Sequence, residues 1–174
     1  MTLVNLNAID KNEFLDLVDP KDIVIGQASR RDLFRSGVNN YRVVNVFVFN
    51  NKNEVLVPKR SSNRSIFPNC YDFSCGEHVM AGESYLEAAI RGLKEELNLK
   101  IPEEKLVLLG KLTPAQVSSF MCVYKIEGID KIPNYIENEI SSATFIPIED
   151  MKNFSRNHPE QFKEDIPKVL SILF

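Results

Sequence analysis

The chain has 174 residues, 44% apolar and 26% charged, and its 21 Lys and Arg against 24 Asp and Glu leave a net charge of −3. This composition is typical of one globular domain and excludes a disordered chain, a collagen-like chain and a coiled coil. The small negative charge argues against nucleic-acid or anionic-membrane partners, because both need a basic surface.

The hydropathy of the sequence indicates neither a membrane-spanning segment nor an export signal. The longest apolar stretch, Val43 to Phe49, is too short to cross a bilayer and contains Asn45. The N-terminal segment lacks the basic and apolar regions of a signal peptide, so we expect a cytoplasmic protein.

The metal-binding side chains that favour zinc are few and scattered. Three cysteines and two histidines occur without a CxxC or HxxxH pair: Cys70, Cys75, Cys122, His78 and His158. We therefore expect neither a disulfide framework nor a zinc site. Any bound metal should be a hard ion that is held by carboxylate oxygens.

The first quarter of the chain predicts short elements. Residues 13–18 alternate loosely in hydropathy and are followed by a turn at Asp19-Pro20. Residues 22–29 favour a strand, and residues 30–37 favour one helical turn that Gly37 ends.

The next segment contains the clearest strand, residues 42–49, which is rich in β-branched and aromatic side chains. A polar turn at residues 50–53 separates it from a second strand, residues 55–58. The two strands should form a hairpin. Residues 61–69 are rich in Ser, Asn and Pro and predict a loop.

A helix is strongly predicted after Gly82. Ser84 and Glu87 have the spacing of a capping box. An apolar stripe then recurs at helical spacing through Leu86, Ala89, Ile90, Leu93 and Leu97. Later segments predict strands at residues 106–109, 120–126 and 143–148, and helices at residues 149–154 and 160–173. This order of elements predicts an α/β sandwich with a mixed sheet.

Two adjacent carboxylates, Glu95 and Glu96, lie near the end of this helix and off its apolar stripe. A glycine-containing loop from Cys75 to Gly82 leads into the helix. Such a pair can hold a divalent cation that bridges pyrophosphate oxygens and activates water. Helix chemistry alone leaves a solvated acidic face as the alternative.

Residues 76–99, GEHVMAGESYLEAAIRGLKEELNL, resemble the Nudix box, G-x5-E-x7-R-E-U-x-E-E-x-G-U, where U is a bulky aliphatic residue. Six positions match at fixed spacing: Glu83, Arg91, Leu93, Glu95, Glu96 and Leu99. The run YDFSCGEHVMAGES is similar to the corresponding stretch of Nudix hydrolases related to isopentenyl-diphosphate isomerase. The resemblance covers roughly residues 13–155.

This resemblance implies a Nudix-type α/β/α sandwich with a mixed sheet. We expect one Nudix domain over residues 1–174, with residues 1–12 as a flexible N-terminus and residues 156–174 as a C-terminal helix. No interface pattern stands out, so the oligomeric state stays open.

Three positions of the box depart from the family pattern. Glu77 replaces the leading glycine, and Asn98 replaces the late one, where Asn also tolerates the left-handed conformation. Gly92 replaces the first glutamate of R-E-U-x-E-E. Either Gly92 makes room for a ligand, or catalysis is relaxed. We expect Gly92→Glu to add a carboxylate to the Glu95–Glu96 pair and to stabilise the helix by up to about 1 kcal/mol.

The resemblance also implies roles for individual residues. Glu96 and then Glu95 should hold Mg²⁺ or Mn²⁺, with Glu95 and Glu139 as candidate catalytic carboxylates. Lys59 and Arg60 should contact substrate phosphate, and a solvated basic turn is the alternative for both. No organic cofactor is expected.

Two other residues of the box region, Glu83 and His78, have less direct implied roles. Glu83 should anchor the preceding loop to Arg91, or serve only as a structural ion pair. For His78, a structural role is favoured over contact with substrate.

Cys75 followed by Gly76 matches the position of a catalytic cysteine in the isomerase. The isomerase also needs metal-binding histidines, but the N-terminal region here has Asn39, Asn40 and Tyr41 without histidine. It needs a glutamate pair before the late strand as well, where this chain has Ala115 and Gln116. The resemblance therefore favours metal-dependent hydrolysis of a diphosphate, such as a nucleoside diphosphate derivative. A non-catalytic binding module is the alternative, and isomerase activity is a weaker one.

Overall fold

The computed structural model describes residues 12–174. Within this range the strands are β1 (Phe14–Val18), β2 (Val24–Ser29), β3 (Arg42–Val48), β4 (Glu54–Arg60), β5 (Cys75–His78), β6 (Val107–Leu112), β7 (Phe120–Ile126) and β8 (Ile140–Pro147). The α-helices are α1 (Arg30–Ser36), α2 (Tyr85–Leu97), α3 (Ile148–Asn157) and α4 (Ile166–Leu173). The expectation of a flexible N-terminus over residues 1–12 lies almost wholly outside the described residues.

A mixed sheet of four strands, in the order β5-β3-β7-β6, lies at the centre. Strand β3 runs parallel to β7 and antiparallel to β5. Buried side chains of α2 pack on one face of this sheet, and those of α3 and α4 pack on the other. The predicted α/β sandwich with a mixed sheet is therefore confirmed.

Strand β3 shows why the sheet is covered on both faces. Val44, Val46 and Val48 belong to the core on the α2 side, whereas Phe47 packs into the core on the α4 side. A strand that is buried on both faces carries apolar residues at successive positions. This explains the nearly continuous apolar run from which the strand was predicted.

The predicted hairpin between the strands that flank residues 50–53 is wrong. The turn does form, with Asn53 N–H donating to the Asn50 carbonyl oxygen at 3.1 Å. Only one bridge, between Phe49 and Val55, joins the two strands. Strand β4 then pairs along its length with β8 in a separate two-stranded sheet, because β3 already has β5 and β7 as its neighbours.

Part of the predicted loop between Cys75 and Gly82 is the strand β5. It pairs antiparallel with β3, and Glu77 lies opposite Val44. The segment is too short and too rich in Gly and polar residues to show a strand pattern, so its pairing partner decides its conformation. This strand places Cys75, Gly76 and Glu77 beside α2.

Helix α2 begins and ends as the sequence predicts. The Ser84 hydroxyl accepts a hydrogen bond from Glu87 N–H at 3.2 Å, and the Glu87 carboxylate accepts one from Ser84 N–H at 2.8 Å. Asn98 ends the helix in the left-handed conformation with φ of 51°. The buried face carries Ala88, Ala89, Gly92, Leu93 and Leu97, so it includes Gly92 and is centred slightly away from the predicted stripe.

The prediction of a continuous C-terminal helix over residues 156–174 is wrong. Helix α3 ends at Asn157, and a 3-10 turn at Pro159–Gln161 follows. Phe162 is extended and pairs with Tyr71 before α4 begins at Ile166. Pro159 lacks the N–H that a continuing helix would need. No helix within residues 12–174 is long and apolar enough to cross a membrane.

The capping box should contribute measurably to stability, because it satisfies two N–H groups at the start of α2. We expect Ser84→Ala to lower the free energy of unfolding by about 1 kcal/mol. Ser171→Ala, at an exposed position inside α4, is the matched control and should leave it nearly unchanged. Urea denaturation measures both variants, and equal midpoints would contradict this role.

Candidate active site

One pocket gathers side chains from distant parts of the chain. It lies where the end of α2, the end of β4, the segment before β5 and the start of β8 meet. Its lining residues are Pro58, Arg60, Arg64, Asp72, Phe73, Ser74, Gly76, Glu96, Glu139 and Ile140. Three residues that the sequence singled out, Arg60, Glu96 and Glu139, therefore come together.

Glu96 is the acidic side chain that α2 directs into this pocket. One of its carboxylate oxygens accepts a long hydrogen bond, 3.3 Å, from Gly76 N–H. Within residues 12–174 it forms no ion pair. Burial, with the negative charges of Glu77 and Asp72, raises the pKa of Glu96 to about 8. A cation bound here would relieve this unfavourable charge.

Glu139 and Arg64 form an ion pair at the pocket wall. Arg64 Nη1 lies 2.7 Å from Glu139 Oε1, and the two side chains are 33% and 37% exposed. The backbone also joins these segments, since Ser61 N–H donates to the Glu139 carbonyl oxygen at 2.8 Å. The pair places a cationic donor and a carboxylate near Glu96.

The predicted phosphate-binding pair, Lys59 and Arg60, is occupied by other contacts. Arg60 Nη1 lies 2.6 Å from Asp72 Oδ2, and its other nitrogens donate to the carbonyl oxygens of Ile66 and Phe67. Arg60 thus holds the loop of residues 61–69 against the segment before β5. Lys59 lies outside the pocket lining, with Nζ 5.4 Å from the centre of the Tyr71 ring.

Arg91 joins α2 to β5 and to the loop that follows it. Its Nε and Nη2 bind both carboxylate oxygens of Glu83 at 2.9 and 3.0 Å. Its Nη1 lies 3.2 Å from Glu77 Oε2, and Nη2 also donates to the His78 carbonyl oxygen at 2.9 Å. The predicted anchoring of the loop by Glu83 is confirmed by these bonds.

The two adjacent glutamates of α2 do not point to the same place. Successive residues of a helix are 100° apart, so neighbours face different directions. The Glu95 side chain is 58% exposed and lies 3.3 Å from Arg91 Nη1. Only Glu96 lines the pocket, and Glu95 could approach a metal there only by leaving Arg91.

Gly92 packs against β5, and this contact overturns the expectation for Gly92→Glu. A Cβ atom at position 92 would lie 2.4 Å from Glu77 Cγ and 2.9 Å from Cys75 Sγ. The space beside the glycine is therefore filled by the Glu77 side chain. A glutamate added at position 92 would clash before it could join the acidic pair, so destabilisation replaces the expected gain.

Cys75 and His78 are placed for structural roles. The Cys75 side chain is buried, and burial with the charges of Glu96 and Glu77 raises the pKa of its thiol well above the usual value. Burial also holds the pKa of His78 well below its usual value, so the imidazole is neutral at pH 7. The His78 ring lies 5.7 Å from Tyr41 and 5.9 Å from Phe34.

Sequence reasoning missed four charged residues of this region. Glu77 was seen only as a departure from a motif, and Arg64 and Asp72 carry no spacing signal. Lys163 comes from the extended segment before α4, and its Nζ lies 3.5 Å from Asp72 Oδ1. It reaches the site because Phe162 pairs with Tyr71, a contact that no local pattern indicates.

The donor atoms suit a hard divalent cation. Within residues 12–174, no three His, Cys, Asp or Glu side chains converge closely enough to enclose a metal ion. Magnesium is commonly held by one or two carboxylates together with waters and substrate phosphate oxygens. Glu96, whose carboxylate lacks an ion pair, fits that pattern.

Comparison with known proteins supports the same family. Residues 39–166 match the model of the NUDIX domain. An uncharacterized Nudix hydrolase of Nostoc, all7351, is 42% identical over 93% of this chain and 96% of its own length. Isopentenyl-diphosphate Delta-isomerase 1 of Photorhabdus laumondii is 27% identical over 83% of this chain and 85% of that protein.

A solved structure agrees with both the fold and the family. The crystal structure of DR0079 from Deinococcus radiodurans matches with a TM-score of 0.82 and 35% identity, over 93% of this chain and 99% of that one. The domain match spans more than half of the chain and includes α2, Glu96 and Glu139. The chain therefore belongs to the Nudix family and is a relative of its hydrolases.

Proposed function

We propose that the protein hydrolyses a diphosphate linkage in a small molecule, such as a nucleoside diphosphate derivative, with Mg²⁺ or Mn²⁺. The observation that supports this most is Glu96, a carboxylate without an ion pair that faces the pocket beside Arg64 and Glu139. Family membership supports diphosphate hydrolysis in general, and the remaining detail is our proposal.

The acidic and basic residues of the pocket would have different roles. A divalent ion would polarise a phosphoryl oxygen and lower the pKa of an attacking water. Glu96 would hold this ion, and Arg64 would contact substrate phosphate after leaving Glu139. The released Glu139 carboxylate would then be free as a further ligand or as a base.

Arg60 keeps a different role in this proposal. Its donors are already bound to Asp72 and to the carbonyl oxygens of Ile66 and Phe67. It would shape the phosphate-binding side of the pocket by holding the loop that carries Arg64. Lys163, whose Nζ lies 3.5 Å from Asp72 Oδ1, would add positive charge beside the same carboxylate.

Two alternatives use the same fold. A binding module without turnover is suggested by Gly92, where the family pattern has a glutamate. Isomerase activity is suggested by the similarity to isopentenyl-diphosphate isomerases, but the buried, protonated Cys75 thiol opposes it. A phosphate-release screen over nucleoside and prenyl diphosphates, with each metal, tests all three possibilities.

Glu96 should contribute far more than its neighbour Glu95 to metal binding and to turnover. We expect Glu96→Gln to abolish Mn²⁺ binding and to lower metal-dependent turnover by more than about 100-fold. Glu95→Gln, which changes an exposed carboxylate on the next residue, is the matched control and should retain most of both. Calorimetric Mn²⁺ titration and phosphate release measure these effects, and equal losses in the two variants would contradict the assignment.

The raised pKa of Glu96 has a consequence for the metal-free protein. The folded state keeps a proton on Glu96 up to about pH 8, whereas the unfolded chain releases it near pH 4.5. Stability from this group is therefore present at low pH and lost as the pH rises from 4.5 to 8. We expect Glu96→Gln to make the unfolding free energy, measured by urea in chelator, depend less steeply on pH across this range. Identical slopes would contradict the assignment.

Replacement of Cys75 distinguishes hydrolase activity from isomerase activity. In a hydrolase water is the nucleophile, so Cys75→Ala should keep most of the diphosphatase activity. In an isomerase the same change should eliminate conversion of isopentenyl to dimethylallyl diphosphate. Product analysis of the parent and the variant decides between them, and isomerisation by the parent would overturn our ranking.

A further inference from the structure

Two departures from the family motif, at positions 77 and 92, concern side chains that would occupy the same space. The position of the leading glycine carries Glu77, and the position of the first helix glutamate carries Gly92. We propose that the Glu77 carboxylate takes the place of the glutamate that is absent at position 92 and serves beside Glu96 as the second carboxylate toward the divalent ion. This inference rests on the proposed function and assigns a residue to its metal.

The first support is that the two side chains compete for one space. A Cβ atom on residue 92 would lie 2.4 Å from Glu77 Cγ and 3.5 Å from Glu77 Cβ. The methylene group of Glu77 therefore lies where the side chain of a helix glutamate would start. With a glycine on α2, the carboxylate of this region is supplied from β5.

The second support is the position of this space relative to Glu96. Residues 92 and 96 are one turn apart on α2, so their side-chain directions share one helix face. Gly76, the neighbour of Glu77 in β5, donates its N–H to the Glu96 carboxylate. The Glu77 side chain thus packs beside the helix turn that carries Glu96, and the residue before it contacts the Glu96 carboxylate.

The third support is that Glu77 is held in place by Arg91. Arg91 Nη1 lies 3.2 Å from Glu77 Oε2, and the same guanidinium is fixed by both oxygens of Glu83. The backbone of Glu77 is also fixed, because Glu77 and the residues before and after it all pair with β3. One oxygen of Glu77 is thus anchored by Arg91, and its Oε1 has no hydrogen bond or ion pair within residues 12–174.

The exchange makes residues 77 and 92 dependent on each other. Gly92→Glu alone should clash with Glu77 and Cys75, and Glu77→Gly alone should remove the carboxylate. Reversing both changes together, as Glu77→Gly with Gly92→Glu, should remove the closer contact, with Glu77 Cγ, and leave only the 2.9 Å approach to Cys75 Sγ. The exchange should also return a carboxylate from the helix side. The effects on metal affinity and stability should therefore be strongly non-additive.

The test compares Mn²⁺ binding and melting temperature, with and without Mn²⁺, in a set of variants of the full chain. We expect Glu77→Gln, which keeps the side-chain volume, to weaken Mn²⁺ binding by about tenfold or more. Gly92→Glu should melt at a lower temperature than the parent. The double exchange should recover most of the melting temperature that Gly92→Glu loses, and it should restore the shift caused by Mn²⁺.

Two controls separate charge from space. Glu77→Gly with Gly92→Gln fills the same volume without a carboxylate, so it should fold but show a reduced Mn²⁺ shift. Glu104→Gln removes an exposed glutamate from the turn after α2 and should change neither quantity.

The outcomes distinguish this inference from the proposed function. Unchanged Mn²⁺ binding in Glu77→Gln, with binding lost in Glu96→Gln, overturns the role of Glu77 and leaves the proposed hydrolase intact. The expected Mn²⁺ pattern without release of phosphate from any diphosphate supports the role of Glu77 and overturns the proposed function. A double exchange that recovers neither stability nor binding also overturns the inference.

Discussion

The close approach of α2 to β5 at Gly92 is the contact on which the site depends. Because residue 92 has no side chain, Cys75 and Glu77 can pack directly against the helix. The same approach lets Gly76 N–H reach the Glu96 carboxylate. A larger residue at position 92 would push the strand and the helix apart, and the pocket would lose its acidic wall.

Charge balance around this contact is built from arginines. Arg91 pairs with Glu77 and Glu83, and Arg60 pairs with Asp72. Partly buried charges are tolerated when they are paired and hydrogen-bonded, whereas removing one partner leaves an uncompensated charge. Glu96 differs because it has no such partner within the described residues. Burial and the nearby charges of Glu77 and Asp72 raise the pKa of Glu96 to about 8, and a bound cation would favour its ionised form.

The same arrangement shows how a degenerate motif can coexist with a pocket that carries carboxylates. A motif is a pattern of positions along the chain, but metal binding depends on where the ligand oxygen atoms lie in three dimensions. In the proposed exchange one carboxylate comes from β5 and one from α2, whereas the motif pattern has both on the helix. Gly92 then indicates a rearranged site as readily as a lost one, and the proposed exchange favours rearrangement.

The sequence by itself determined the elements with strong local signals and the family. The capping box, the long buried strand and the six matched positions of the motif depend on neighbouring residues. They predicted α2 and β3 correctly and singled out Glu96, which lines the pocket. Tertiary structure alone decided the pairing of β4 with β8, the extended segment that delivers Lys163, and the separation of Glu95 from the pocket. It also decided that the space beside Gly92 belongs to Glu77. Such contacts join residues that are far apart in the chain, so no periodicity or local propensity carries information about them.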